Sequence, residues 1–288
     1  MTAAVGRTTG ADERLPDASA ILPLAAGENF TVASLLVGRA TREHLTAIYG
    51  FARLVDQIGD EIEGDRGAAL DAFEQDLHRV FGGEPQHPLL LRLRATVRAC
   101  GMPREPFLRL IEANRRDQRQ PTYETFDELV DYCDLSANPV GELVLYVFGA
   151  ATKDRIALSD GICTALQLAE HWQDVGEDFG RGRIYLPGED RRRFGVDDAA
   201  LGATSANEPL RKLLGFETER ARALLDEGAP LVGTLRGRAR IAVAGYVGGG
   251  RATFDAIEGA GFDVLRATPR ATSAQRARRA FEAFRRGA

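Results

Sequence analysis

From Glu28 onward, apolar residues recur at three- and four-residue spacings in one segment after another, and the strict alternation of a half-buried strand is missing. The pattern predicts helices throughout. Breaks separate them at Gly82-Gly83 with Pro85, Gly101-Met102-Pro103, Gln120-Pro121, the run from Gly180 to Pro187, and Gly248-Gly249-Gly250. Thr125-Phe126-Asp127-Glu128 has the form of a capping box, in which hydroxyl and carboxylate satisfy reciprocal backbone donors. A helix is therefore expected to open there and run through Tyr132. Neither a repeat of fixed length nor a linker-like stretch interrupts 28–272, so one continuous α-bundle is the simplest architecture. Residues 1–26 carry no period and read as a flexible leader, 27–272 as the helical domain, and 273–288 as a basic C-terminal helix or tail.

Composition narrows the class without naming a chemistry. A chain of 288 residues can still build one large core. Its mean hydropathy of -0.22 argues against an integral membrane protein. The longest apolar stretch, around Leu143 to Ala151, falls well short of the roughly 20 residues a bilayer crossing needs. Arg7, Asp12, Glu13 and Arg14 interrupt the N-terminus where a secretory signal would be apolar, so the cytoplasm is the expected location. The net charge of -5 gives no general affinity for nucleic acid. Cys100, Cys133 and Cys163 form no CxxC pair and read as reduced thiols in the core.

Candidate chemistry enters with two acidic pairs. In the segment from Gln167 to Asp178, Asp174 and Asp178 stand at i and i+4, with Gln167 and His171 near the same stripe and Glu170 beside it. Like carboxylates at that spacing repel, and a cation between them would relieve the strain. Asp56 and Asp60 repeat the device, with Tyr49 and Arg53 toward the same face. Mg²⁺ takes one or two carboxylates and completes its shell with water and phosphate oxygens, so two facing pairs suit a Mg²⁺-loaded diphosphate. One such pair is ordinarily a solvated helix face. Two of them in otherwise apolar helices, the second followed by Arg181 and Arg183, which can reach phosphate oxygens, favour the metal reading.

These residues carry a resemblance. Asp174-Val-Gly-Glu-Asp178 followed by Gly182-Arg-Ile-Tyr-Leu-Pro187 resembles the second acidic motif of squalene and phytoene synthases. Asp56-Gln-Ile-Gly-Asp60 resembles the first, and Tyr132-Cys-Asp-Leu-Ser-Ala-Asn-Pro-Val-Gly141 resembles the helix whose glycine lets substrate pass close to the backbone. The similarity runs from Glu28 to about Arg270. Glu28-Asn-Phe-Thr-Val-Ala-Ser34, Leu158 to Leu166 and the tryptophan before Gln173-Asp174 look most like the bacterial hydroxysqualene synthase branch. The resemblance implies an all-α fold of the isoprenoid synthase type, a single large helical bundle with a central cavity. It also implies a Mg²⁺-dependent enzyme that ionises presqualene diphosphate and lets water capture the cation as hydroxysqualene, releasing pyrophosphate.

By the same resemblance Asp56, Asp60, Asp174 and Asp178 hold Mg²⁺ with Glu177 in support. Arg53 contacts diphosphate, Tyr49, Tyr132 and Gln167 line the reacting end, and Ala137, Val140 and Gly141 line the hydrocarbon channel. Glu170, Gln173, Arg181 and Arg183 complete the substrate-binding set. Two positions depart from the family pattern: Glu170 stands where asparagine is usual, and Gln173 where squalene synthases have arginine. Gln57 leaves its flanking aspartates intact. Phe30, Phe51, Tyr146 and Phe148 could face a carbocation, although core packing is the plainer role for each. His171 reads as a packed or hydrogen-bonded imidazole.

Head-to-head condensation of two prenyl diphosphates, as in squalene or phytoene synthase, shares the fold and site. A non-catalytic binding or assembly module would need none of the four aspartates. The implied partners are an isoprenoid diphosphate substrate and the pathway enzymes that make presqualene diphosphate and reduce hydroxysqualene. In the tail, Ala277, Ala280, Phe281 and Phe284 form an apolar stripe among arginines. It suits either docking on the bundle or peripheral contact with the inner face of the membrane. Gly245-Tyr-Val-Gly-Gly-Gly250 follows no strand, which argues against a nucleotide loop and for relaxed helix packing near the channel.

Overall fold

The computed structural model describes residues 38–287, and its only extended pairing among them is an isolated bridge between Thr122 and Ile184. The helices are α1 (Arg39–Asp60), α2 (Arg66–Gly82), α3 (Pro88–Cys100), α4 (Glu105–Asp117), α5 (Phe126–Ser136), α6 (Asn138–Val147), α7 (Lys153–Gln173), α8 (Val175–Gly180), α9 (Gly188–Phe194), α10 (Asp198–Leu201), α11 (Glu208–Gly228), α12 (Leu231–Thr234), α13 (Gly237–Gly259) and α14 (Ser273–Arg286). The expected leader, the Glu28 to Ser34 motif and Phe30 lie outside the described residues.

Two apolar clusters share α6. In the first, Ile48, Phe51 and Leu54 of α1 meet Phe73 of α2, Leu90 and Leu93 of α3, Phe107 of α4 and Leu143 of α6. The Phe51 ring lies 5.7 Å from Phe73 and meets Phe107 edge-on at 5.1 Å, which gives it the packing role. In the second, Leu145 of α6 joins Leu168 and Trp172 of α7, Leu214 and Leu225 of α11, and Val247 and Phe254 of α13. Burial of such side chains contributes roughly 1.5–3 kcal/mol each. Cys133 is buried, whereas Cys100 and Cys163 are only half-buried, and all three thiols are free.

Four of the five expected breaks fall between helices. The fifth does not: Gly248-Gly249-Gly250 sits inside α13. A Cβ at Gly248 would overlap the backbone of Ala280 in α14, and one at Gly250 would crowd Leu166 and Leu225. Close helix packing thus retains these glycines and outweighs their poor helix propensity. The expected capping box is half present. The Thr125 hydroxyl accepts from Glu128 N at 3.2 Å, but the Glu128 carboxylate turns to Glu124 N at 2.8 Å. A full box occurs instead at Thr272 and Gln275, opening α14.

Gly248→Ala should therefore lower stability by about 1–3 kcal/mol, because α14 must shift to admit one methyl group. Urea unfolding checks this. An unchanged midpoint would mean that α14 does not seat on Gly248.

Candidate active site

The site is assembled from the end of α1, the end of α4, the α7–α8 junction and two extended segments. Asp56 and Asp60 lie one turn apart near the end of α1. Asn114 of α4 donates to Asp56 Oδ1 at 3.2 Å, and the Gln118 amide donates to Gly59 O at 2.8 Å. Gly59 permits this approach, since a Cβ there would overlap the Asn114 side chain. Water reaches Asp56, yet the surrounding protein strips enough hydration to raise its carboxyl to about 6. The Asn114 hydrogen bond opposes that rise and the charge of Asp60 adds to it. Arg53 pairs with Glu61 at 3.1 Å and lends positive charge toward Asp56. Tyr49 is buried two turns earlier on the same helix.

Asp60 is tied to the other half of the chain. Arg183, 123 positions later, forms an ion pair with its carboxylate, with Nη1 at 3.5 Å from Oδ2. Backbone pairing delivers Arg183 to this place. Ile184 N donates to Pro121 O at 2.8 Å, Gly188 N to Tyr123 O at 2.9 Å, and Glu189 N to Glu124 O at 2.9 Å. Gly182 makes the preceding turn at φ 79°, a conformation that a side chain would strain.

Asp117 at the end of α4 completes the cluster. It accepts from the Tyr132 hydroxyl at 2.9 Å, and burial raises it to about 6 while Arg183 holds it down. Tyr123, Tyr132, Tyr185 and His171 form a continuous aromatic wall. Ring centroids are 5.8 Å apart for Tyr123–Tyr185 and for Tyr132–Tyr185, and 3.7 Å apart for His171–Tyr185. Burial pushes all three tyrosine hydroxyls far above their ordinary range, so they keep their protons.

The second acidic segment departs from the expected continuous stripe. Gln167 and His171 do share a face, their side-chain nitrogens 3.2 Å apart. The helix then breaks at Asp174, which takes φ -104° and ψ 16°, and α8 restarts at Val175. Contacts outside the helix fix the new turn: Val175 enters the core and Gly176 lies against Leu265. Asp178 N still bonds Asp174 O at 2.8 Å, and Asp178 Oδ2 comes within 3.9 Å of His171 Nδ1. Partial burial and the charges of Asp178 and Glu177 raise Asp174. A cavity of about 10 Å³ lies among His171, Asp178, Arg183 and Tyr185, close to the space one water needs.

Other expected residues stand apart from this cluster. Arg181 and Glu177 pair with each other at the surface at 2.7 Å. The Gln173 amide donates to Pro269 O, anchoring the end of α7 to the 260–272 segment, and Glu170 is exposed. Ala137 joins α5 to α6, and Val140 packs against the first apolar cluster. A Cβ at Gly141 would overlap Ser159 and Cys163, so this glycine lets α6 and α7 approach each other. Sequence reasoning missed Asn114, Asp117, Tyr123 and Tyr185. Of these only Tyr185 had a local signal, its place within the Arg-Ile-Tyr-Leu-Pro run.

The oxygen-only donor set fits Mg²⁺, and the raised carboxyls of Asp56 and Asp174 mark positions where a cation would relieve electrostatic strain. Among the described residues no three acidic, histidine or cysteine side chains form a metal cage.

Comparison with known proteins identifies the family. The squalene/phytoene synthase family profile matches residues 24–278. The hydroxysqualene synthase of Zymomonas mobilis is 36% identical over 202 residues, covering 69% of this chain and 67% of its own. The 15-cis-phytoene synthase of Synechococcus elongatus is 32% identical over 255 residues, covering 83% and 82%. Among solved structures, the squalene synthase HpnC from Alicyclobacillus acidocaldarius superposes with a TM-score of 0.80 at 45% identity, covering 85% of this chain and 94% of that one.

Proposed function

The chain belongs to the squalene/phytoene synthase family, whose enzymes process isoprenoid diphosphates, and from that premise we propose that it converts presqualene diphosphate to hydroxysqualene. The observation that carries the reading is the ion pair between Asp60 and Arg183. It draws the two acidic segments toward one aromatic-walled site. Similarity to a hydroxysqualene synthase supports the choice of reaction.

Asp56, Asp60, Asp174 and Asp178 would hold Mg²⁺, which would supply Lewis-acid stabilisation of the charge on the departing diphosphate. Arg183 is balanced by Asp60 until diphosphate competes for its guanidinium. Tyr132 and Tyr185 stack within the aromatic wall, and their protonated hydroxyls avoid presenting a phenolate that would trap a carbocation. Asp117 keeps the Tyr132 ring oriented through its hydrogen bond. Overall, oxygen from water replaces the diphosphate oxygen on carbon, and the proton leaves with pyrophosphate. The enzyme would act between one that makes presqualene diphosphate and one that reduces the alcohol.

Similarity to a phytoene synthase over more of the chain favours a second reading, head-to-head condensation at the same site. Incubation with presqualene diphosphate and Mg²⁺, with products read by mass spectrometry, separates the two. Pyrophosphate with an alcohol product, both suppressed by chelation, is expected. Turnover of farnesyl or geranylgeranyl diphosphate in its place moves the assignment to condensation, and inertness toward all three leaves a binding module.

A further inference from the structure

The face by which α14 docks shares only Ala280 with the apolar stripe marked by its sequence. Ala280 and the fully buried Ala283 pack onto α13, held by Arg279 to Asp255 at 2.8 Å and by Arg240 Nη2 to Phe284 O at 2.7 Å. Gly248 selects that face because only the small side chains of α14 fit against it. Ala277, Phe281 and Phe284 consequently point outward, with Phe281 61% and Phe284 38% exposed. Ile241, 39% exposed, lies two turns from Gly248 on the same face of α13. Three of the four large exposed apolar side chains among the described residues therefore gather at one end of the α13–α14 pair.

Positive charge surrounds them. α14 holds five arginines against one glutamate. Arg278 reaches Glu282 only at 3.8 Å, while Arg285 and Arg286 make no ion pair among the described residues. The Arg285 guanidinium lies 6.0 Å from the Phe281 ring, and Arg236 and Arg238 are exposed at the start of α13. Phenylalanines need an apolar sink, which a nucleic-acid backbone lacks, and guanidiniums need anions, which a bare apolar groove lacks. An anionic bilayer offers both in one plane, matched to a helix lying flat. No helix of the described residues is long and apolar enough to cross a membrane.

We propose that the outer face of α14, with the start of α13, docks the protein on an anionic lipid bilayer. Phe281 and Phe284 enter the headgroup–acyl boundary, and Arg278, Arg285 and Arg286 bind lipid phosphates. This surface lies at the far end of the bundle from the carboxylates. Arg155, at the start of α7, bonds Thr234 of α12, and Gly233 of α12 abuts Gly287; Gln173, at the other end of α7, touches Pro269. The proposal is thus independent of the reaction assigned above.

Flotation of the full chain with phosphatidylcholine vesicles, with or without roughly a third phosphatidylglycerol, tests it. Binding to the anionic vesicles alone, reversed by salt, is expected. Phe281→Ser with Phe284→Ser should weaken it about tenfold or more, and Arg278→Glu with Arg285→Glu by a similar factor. Both double variants should keep the wild-type helical circular dichroism, although Phe284→Ser loses the Arg240 contact and lowers the melting temperature somewhat. Leu91→Ser, which removes an exposed apolar side chain on α3, should bind normally. Equal binding to neutral vesicles, or wild-type binding by either double variant, overturns the proposal. So does a full chain that fails to bind, including the case where removing residues 1–26 unmasks binding. Gly38 lies beside Arg238, so the preceding segment would then be the occupant of this face.

Discussion

Asp174→Asn is expected to leave a folded protein that releases pyrophosphate about a thousandfold more slowly, a loss of several kcal/mol in transition-state stabilisation. The substitution keeps shape and removes charge. At the α7–α8 break, Asp174 contributes to the fold through its backbone, whose N–H bonds Glu170 O at 3.0 Å and whose carbonyl accepts from Asp178 N at 2.8 Å; asparagine preserves both. Its carboxyl is raised by partial burial and by neighbouring Asp178 and Glu177, which means that the ionised form is disfavoured in the native state. Neutralising it should not lower the melting temperature in chelator. Asp56→Asn should behave alike, since a carboxyl raised to about 6 destabilises the metal-free fold at pH 7. After allowance for the water that reaches it, the gain is on the order of 1 kcal/mol. A pyrophosphate-release assay beside a thermal melt reads both quantities. Wild-type turnover in either variant would remove these aspartates from the mechanism, and a large drop in melting temperature would make them structural.

The helical architecture was legible because its signal is local. Three- and four-residue periodicity places apolar side chains on one face wherever a helix forms, and Gly or Pro punctuates the ends. The four aspartates stood out as candidates for the same reason, their i,i+4 spacing. What escaped depends on distant contacts. Asn114 and Asp117 look like ordinary polar positions on α4 until the fold brings Asp56 and Tyr132 against them. The pairing of 121–124 with 184–189, which delivers Arg183 and Tyr185, has no periodicity to announce it. Gly248 to Gly250 reads as a break on propensity alone, but α14 packs so closely that a glycine is required inside the helix. That contact also decides which face of α14 is hidden, so the sequence could mark an apolar stripe without revealing that all of it but Ala280 points outward.

Glu217 supplies the second large effect, on stability. It is the most deeply buried acid among the described residues, with 0% exposure on α11. Arg220 Nη1 lies 3.5 Å from Glu217 Oε1 and 2.7 Å from Asp190 Oδ2 on α9. Loss of hydration raises its carboxyl to about 8; Arg220 opposes the rise, and the adjacent Asp190 adds to it. Below the ordinary value of 4.5, native and unfolded chains are both protonated and nothing is lost. As pH climbs from there toward 8, the unfolded chain ionises while the native one keeps its proton, so stability falls by up to about 5 kcal/mol and then levels. Glu217→Gln imitates the protonated acid and should abolish this part of the slope. Near pH 5 variant and wild type should melt within about 2 °C of each other. At pH 8 the variant should be more stable by at least about 2 kcal/mol, which raises its melting temperature by roughly 4–8 °C. A glutamine variant that is less stable at pH 8 would mean that Glu217 is ionised and paired with Arg220, because removing one partner of a buried ion pair leaves the other charge uncompensated.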